Sequence, residues 1–513
     1  MITTSPSRRS FLGAISAGAA GMSLSNCGGT KQRPNILYIM SDDHTTNAIR
    51  SYGGRLESVA PTHHIDRIAN EGMRLENCFC TNSICVPSRA TILTGQYSHV
   101  NGVYTLAEPL DRDRPNVAKM LQQGGYQTAV VGKWHLKSEP SGFDYYNILR
   151  GQGRYNNPQL REIGNWEGED FSKVPGDTYE GHSTDVITDQ SLQWLNTRDE
   201  TKPFYLMCHF KATHGPWDYN RKYEHLFDGV EIPEPESLWE DLSHRSPGSR
   251  NIGLTIDTQV ERMSVKNYPT GPLDIEGLSL DEARKAAYQK YLKDYLRCVK
   301  GIDDNVGRLL QYLDDNGLAD NTIVVYTSDQ GMFLGEHNLI DKRWIFEESA
   351  RMPFLVRYPR EIAPGSVNEN LILNSDFAPM FLDYAGLPTP GDMQGASFRE
   401  QLNGDTPTDW RQSMYYHYWM QEYRPAHYGI RTKTHKLIFF YGLTLGMTNR
   451  PETPPGWELY DLVNDPQELH NVYDDPANAE IIRQLTAEMD RWKVELGDTD
   501  DKYPELQKLR QSM

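Results

Sequence analysis

Short apolar runs recur along the chain from Pro34 onward, each stopping at a polar cluster, with amphipathic stretches between them. Asn35-Ile36-Leu37-Tyr38-Ile39-Met40 stops at Ser41-Asp42-Asp43, and Thr128-Ala129-Val130-Val131 stops at Gly132-Lys133. Phe204-Tyr205-Leu206-Met207-Cys208-His209-Phe210 precedes Lys211-Ala212-Thr213-His214, and Thr322-Ile323-Val324-Val325-Tyr326-Thr327 stops at Ser328-Asp329-Gln330. Continuous runs of this length read as strands buried on both faces. Their alternation with helical stretches predicts an α/β fold, a helix-flanked sheet. Open sheets of that kind carry their sites at the carboxyl ends of the strands.

Helical periodicity through Ala287, Tyr291, Tyr295, Val299 and Ile302 predicts a helix over 280–313, with a stop at Asn316-Gly317. Over 217–272 the pattern dissolves into Pro- and Gly-rich mixed charge, which predicts a long surface insertion near the substrate. A helix-like stretch at 375–385 precedes Pro388-Thr389-Pro390-Gly391, where a domain boundary is expected. Beyond it lie a strand-like run at 435–441 and a final helix at 478–496. No internal repeat is evident.

At 513 residues the chain exceeds one simple core, which predicts a large domain over 31–388 and a smaller one over 389–513. The net charge of −18 lacks the basic footprint of general nucleic-acid binding. An anionic substrate must therefore be drawn in by a local patch of cations and metal. Residues 1–30 read as an export signal. Ser7-Arg8-Arg9-Ser10-Phe11-Leu12 matches the twin-arginine pattern, and the weakly apolar run at 13–24 is too short to span a membrane. The expectation is export by the twin-arginine machinery to the periplasm or cell surface. Leu24-Ser25-Asn26-Cys27 resembles a lipoprotein cleavage box with an atypical Asn26. A lipid anchor at Cys27 and a plain cleaved signal both stay open, and the anchor is the one membrane contact expected.

Cys85-Val86-Pro87-Ser88-Arg89, continued by Ala90-Thr91-Ile92-Leu93-Thr94-Gly95, reads C-x-P-S-R-x4-T-G. A lone Cys is usually a small buried hydrophobe. Here Pro87 fixes a backbone angle, Arg89 brings a guanidinium beside Cys85, and Thr94-Gly95 closes a helical turn. The motif resembles the signature of type I sulfatases. The resemblance implies an alkaline-phosphatase-like sandwich, with a large mixed central sheet flanked by helices and a smaller C-terminal α+β subdomain. It also implies that a maturation enzyme oxidises Cys85 to formylglycine, whose aldehyde hydrate attacks sulfur and then expels sulfate by collapsing back to the aldehyde.

Asp42-Asp43 and Asp329-Gln330 stand at equivalent strand ends. Carboxylates plus an amide oxygen make a hard, all-oxygen site, suited to Ca²⁺ or Mg²⁺ and not to zinc. Either pair alone would read as a turn or cap. By resemblance Asp42, Asp43, Asp329 and Gln330 are the protein ligands, with the modified Cys85 completing the shell. Gln330 stands where the family more often has Asn or His. Calcium is expected over magnesium, because the protein alone supplies a carboxylate-rich site.

Further motifs extend the resemblance. Gly132-Lys133-Trp134-His135 matches a family motif in which Lys133 would hold the sulfate and His135 would contact the diol. In Thr213-His214-Gly215-Pro216, His214 would protonate the leaving alcohol. Asp341-Lys342-Arg343-Trp344 supplies Lys342 as a second sulfate contact, and Arg89 would stabilise the nucleophile's hydroxyl. Preorganised cations and one proton donor suit a transition state that spreads charge over the sulfate and bridging oxygens. Glu348 and Arg351, in Glu347-Glu348-Ser349-Ala350-Arg351-Met352-Pro353, read as architectural. Glu458-Leu459-Tyr460-Asp461-Leu462 also looks like the C-terminal part of sulfatases. His99, His182, His209, His337 and His417 read as hydrogen-bonded structural residues, while His63 and His64 stay open. Cys78, Cys80, Cys208 and Cys298 read as structural, with room for one disulfide and no deducible pairing.

A phosphoryl hydrolase of the alkaline-phosphatase superfamily would show a Ser or Thr nucleophile and a second, His-rich metal set. A non-catalytic carbohydrate-binding relative would lack one of Cys85, Arg89, Lys133, His135, His214 or Lys342. The expected activity is hydrolysis of sulfate esters on a sulfated carbohydrate. Asn82-Ser83-Ile84 and Tyr97-Ser98-His99 around the motif look most like bacterial polysaccharide sulfatases. That resemblance favours 6-O-sulfated N-acetylglucosamine of glycosaminoglycans, with an algal polysaccharide such as ulvan as the alternative.

Overall fold

The four apolar runs form adjacent parallel strands: Asn35–Ser41, Gln127–Gly132, Phe204–His209 and Thr322–Ser328. Asn35–Ser41 lies between Thr322–Ser328 and Phe204–His209, and Gln127–Gly132 follows on the far side of the latter. The computed structural model describes residues 32–164, 176–250, 252–422 and 424–513. Every residue of the Asn35 and Thr322 strands is buried. Leu37 and Ile39 join one hydrophobic cluster, and Ile36, Tyr38 and Met40 join another, so the sheet is covered on both faces. That two-sided burial explains why the runs are continuously apolar.

Six further strands complete a mixed ten-stranded sheet. Phe354–Arg357 runs antiparallel to Thr322–Ser328 and leads to Met73–Phe79 and Ser366–Leu373 at one edge. Tyr145–Leu149, Gln159–Glu162 and Asp177–Thr178 extend the other edge. The predicted helix is Leu280–Asp315, opened by a reciprocal cap between Ser279 and Glu282, and its apolar stripe packs into the Leu37 cluster. Helices Cys85–Thr94, Val117–Gln123 and Phe377–Tyr384 contribute to the opposite cluster.

A separate antiparallel sheet holds Ser413–Tyr418, His427–Thr432, His435–Phe440 and Gly456–Asp461, with the helix Ala479–Leu496 packed beside it. Its core also contains Ile84, Phe333, Trp344 and Phe346, so it shares a hydrophobic cluster with segments that flank the motif residues.

The structure alters the reading of 217–272. This stretch is anchored, with short 3₁₀ turns, the helix Ile256–Met263, and Leu254–Thr255 paired to Leu339–Asp341. Its buried anchors, among them Tyr219, Tyr223, Phe227, Ile232 and Leu238, follow neither a helical nor a strand period. A periodicity search therefore passes over them. Cys78, Cys80, Cys85, Cys208 and Cys298 are all free and buried, and none forms the disulfide left open above. The twin-arginine stretch and Cys27 lie outside the described residues. Among the described residues no helix is long and apolar enough to cross a membrane.

Candidate active site

The register of the central strands brings the motif residues together. Ser41 pairs with Ser328, so Asp42 and Asp329 leave the same edge of the sheet side by side, and Asp43 N donates to Asp329 Oδ1 at 3.2 Å. Gly132 pairs with His209 at the same edge and delivers Lys133 beside them. Gly132 has φ 102°, and a Cβ there would lie 2.0 Å from the His209 carbonyl oxygen, so only glycine fits this turn.

The helix Cys85–Thr94 is buried all round and ends at Gly95 in the left-handed conformation. Its first residue, Cys85, faces the strand ends. Cys85 Sγ and carboxylate oxygens of Asp42 and Asp329 all lie within 4.8 Å of one another. Gln330 Nε2 is 3.8 Å from Cys85 Sγ and donates to Asp43 Oδ1. One turn into the helix, Ser88 Oγ donates to the Asp329 carbonyl. Arg89 Nε donates to Asp329 Oδ2 at 2.8 Å, and Arg89 Nη1 donates to the Lys133 carbonyl at 2.7 Å.

Three cations thus face three carboxylates. Lys133 Nζ pairs with Asp42 Oδ2, and Lys342 Nζ lies 2.6 Å from Asp43 Oδ2. His214 Nε2 is 3.9 Å from Asp43 Oδ2, while its Nδ1 sits 2.8 Å from the Gly215 carbonyl. A carbonyl only accepts, so Nδ1 carries a proton and Nε2 is the atom turned toward the cluster. His135, with φ 62°, is buried beside Lys133, and its Nδ1 has no hydrogen-bond partner. All of Asp42, Asp43, Cys85, Arg89, Lys133, His135, His214, Asp329, Gln330 and Lys342 therefore meet at one sheet edge.

Burial and charge compete at each group. Burial raises Asp42, but Lys133, His214, Arg89 and Lys342 outweigh it and hold the carboxyl well below its ordinary range. Burial raises Asp43 against the pull of Lys342. Burial lifts Asp329 to about 7 despite Arg89. Burial also pushes the Cys85 thiol up to about 12, against Lys342 and Lys133. His135 is held well below the usual histidine range by burial and then Lys133, and His214 by burial, Lys342 and Lys133.

Sequence reasoning passed over several supporting residues. Asp43 has φ 66°, and its carbonyl accepts from Thr213 Oγ1 at 2.9 Å and Tyr295 OH at 2.8 Å. Tyr295 was visible only as one position of a helical stripe. Asp341 is gripped by Lys342, Arg343 and Arg424, which hold it well below its ordinary range against burial. Lys211 is buried, with its ammonium 4.9 Å above the Tyr155 ring. The remaining histidines are hydrogen-bonded as expected, for example His209 to the Lys133 carbonyl and His417 to Asp498. His63 opens the helix His63–Asn70, and His64 groups with Asp303 and Asp304. There Lys300 Nζ already supplies a cation, 2.6 Å from Asp304 Oδ1. Arg351 pairs with Glu76 at 2.9 Å, in keeping with an architectural role.

Comparison with known proteins supplies the family. The family profile described as Sulfatase matches residues 34–387, and the one described as N-sulphoglucosamine sulphohydrolase, C-terminal, matches residues 335–495. The chain belongs to the sulfatase family and is a sulfuric ester hydrolase with an alkaline-phosphatase-like fold. It is 40% identical to an N-acetylglucosamine-6-O-sulfatase of Bacteroides thetaiotaomicron, over 94% of this chain and 90% of the relative. A solved structure in complex with its substrate D-glucosamine-2-N,6-O-disulfate superposes with a TM-score of 0.81 at 38% identity, covering 91% of this chain and 99% of the other. An ulvan-active sulfatase of Formosa agariphila is 26% identical, over 91% of this chain and 82% of the relative. Members of the family generally use formylglycine and a divalent metal.

Proposed function

We propose that this sulfatase removes the 6-O-sulfate of glucosamine residues, N-acetylated or N-sulfated, in glycosaminoglycan fragments and releases inorganic sulfate. The observation that carries the reaction class is the meeting of Cys85, Asp42 and Asp329 within 4.8 Å, ringed by Arg89, Lys133 and Lys342. The 6-O-sulfated glucosamine assignment draws on the 40% identical relative and on the ligand of the superposed structure.

The residues present fit a hard divalent cation. Asp42 Oδ1 and Gln330 Oε1 are buried acceptors without a hydrogen-bond partner, and the donor set is oxygen-rich. Asp42, Asp43, Asp329 and Gln330 would hold calcium, which supplies Lewis-acid polarisation of a sulfate oxygen. A thiol pushed to about 12 is protonated at neutral pH, so unmodified Cys85 is a weak nucleophile. Oxidation to formylglycine by a maturation enzyme supplies an oxygen nucleophile at that position.

The chain's own residues then divide the work. Arg89, fixed by Asp329 and the Lys133 carbonyl, holds the nucleophile's hydroxyl. Lys133, paired with Asp42, and Lys342, paired with Asp43 and Asp341, bind the non-bridging sulfate oxygens. His135 takes a proton from the nucleophile's second hydroxyl as sulfate departs. His214 presents Nε2 to the bridging oxygen, and an anionic sulfate beside it favours the protonated ring, which gives its Nε2 proton to that oxygen as the S–O bond breaks and the alcohol departs. Residues 31–388 carry this chemistry and 389–513 form the C-terminal subdomain. The twin-arginine stretch of residues 1–30 directs export to the periplasm or cell surface.

The test is peptide mass spectrometry across Cys85, paired with sulfate release from glucosamine-6-sulfate and from ulvan oligosaccharides. Formylglycine in an enzyme that desulfates the glucosamine supports the proposal. Activity from wholly unmodified Cys85 would overturn the mechanism, and turnover of ulvan fragments alone would overturn the substrate.

A further inference from the structure

The loop that carries His214 is held at several points, including His214 N on the Lys211 carbonyl and Tyr268 OH on the Pro216 carbonyl, and one further holder has no part in the chemistry above. Upstream, Thr213 is tied to the Asp42 and Asp43 carbonyls through its backbone N–H and Oγ1. Downstream, the His214 carbonyl accepts a 2.6 Å hydrogen bond from Tyr155 OH, which reaches it from a segment 59 residues earlier. His214 precedes Gly215, so without that bond the peptide after His214 has a soft neighbour on which to turn.

Tyr155 is itself packed against two partners. Its ring stacks on His182, with centroids 5.4 Å apart and planes at 28°. The Lys211 ammonium lies 4.9 Å from the same ring's centroid. Lys211 is 3% exposed, and burial lowers its pKa to about 8. His182 is locked in turn, with Nε2 3.0 Å from the Asp218 carbonyl and Nδ1 accepting from Thr184 N at 3.4 Å. Backbone bonds at both flanks, Ser183 N to the Tyr155 carbonyl and the Asn156–His182 bridge, hold the Tyr155 segment against the His182 segment. Contacts with the imidazole and the ammonium restrict the directions in which the phenol can point its hydroxyl.

We infer that Tyr155 is a positioning residue for proton transfer: its clamped hydroxyl sets the His214 backbone so that Nε2 meets the bridging oxygen of the scissile ester. This rests on the reading of His214 as the proton donor. The requirement is geometric, because a general acid must come within hydrogen-bond reach of the atom it protonates.

The experiment compares two leaving groups in matured enzyme containing formylglycine. A sugar 6-sulfate departs as a basic alkoxide and needs the proton, whereas 4-nitrophenyl sulfate departs as a stable phenolate and does not. Tyr155→Phe keeps the ring against His182 and Lys211 and removes only the hydroxyl. The expected result is a fall in kcat of about tenfold or more on glucosamine-6-sulfate, with little change on 4-nitrophenyl sulfate, and a Tm lowered by no more than a few degrees for the one lost hydrogen bond. His214→Ala run in parallel should lose about 10²- to 10⁴-fold with the same selectivity. If His214→Ala is selective and Tyr155→Phe slows both substrates equally, or neither, the inference about Tyr155 fails while the mechanism stands. If His214→Ala slows both substrates alike, the proton-donor reading fails and the inference goes with it.

Discussion

Arg89 Nε lies 2.8 Å from Asp329 Oδ2, and the same guanidinium reaches the Lys133 carbonyl, so one side chain joins the motif helix to two strand ends. Lysine offers a single point charge and cannot make both contacts. Arg89→Ala should strand a buried carboxylate at a cost of about 3–5 kcal/mol. Arg89→Lys should lose less stability but most of the activity. Urea melts and kcat/KM on glucosamine-6-sulfate separate the two effects; equal stability in all three proteins would refute the pairing argument.

The turn at Gly132 admits no side chain. Gly132→Ala places a Cβ 2.0 Å from the His209 carbonyl at a φ that L-residues rarely adopt. The expected loss is on the order of 3 kcal/mol, and displacement of Lys133 should lower kcat by up to about a hundredfold. Thermal melts and steady-state kinetics check this, with wild-type behaviour as the refuting result.

Divalent-cation removal should destabilise the fold as well as stop the reaction, because the four oxygen ligands come from two strand ends. At a hundredfold excess over Kd, a bound ion adds about 2.7 kcal/mol. EGTA should lower Tm and calcium should restore it, and Asp42→Asn or Asp329→Asn should abolish that calcium-dependent shift. A Tm indifferent to EGTA and calcium would remove Asp42 and Asp329 from the ligand set.

Acid should act through His427, buried among Trp344, Tyr416 and Phe440 and lowered by burial to about 3. The unfolded chain protonates this residue near 6.5, so between about 6.5 and 3 the unfolded state binds one more proton. Stability is therefore full above 6.5 and falls with decreasing pH, by about 1.4 kcal/mol per unit from this residue. The stability gap between wild type and His427→Gln should narrow at that slope as pH falls from 6 to about 4. A gap that stays constant would show that His427 does not titrate differently on unfolding.

The central strands, the long helix (read as 280–313, observed as Leu280–Asp315) and the reaction class were legible in the chain itself. Each is written in a contiguous stretch: a run buried on both faces, a 3.6-residue stripe, or a motif whose Cys, Pro and Arg lie within one helical turn. The chain also showed that Asp42-Asp43 and Asp329-Gln330 end strands. That they end neighbouring strands emerges from the fold alone, because the Ser41–Ser328 register is a long-range pairing with no local signal. Likewise, the anchoring of 217–272 rests on scattered contacts such as Ser246 and Ser249 on Glu458, which follow no period. Tyr155 was illegible for the same reason. An aromatic residue in a loop carries no mark of the carbonyl that its hydroxyl will meet until packing against His182 and Lys211 fixes its direction.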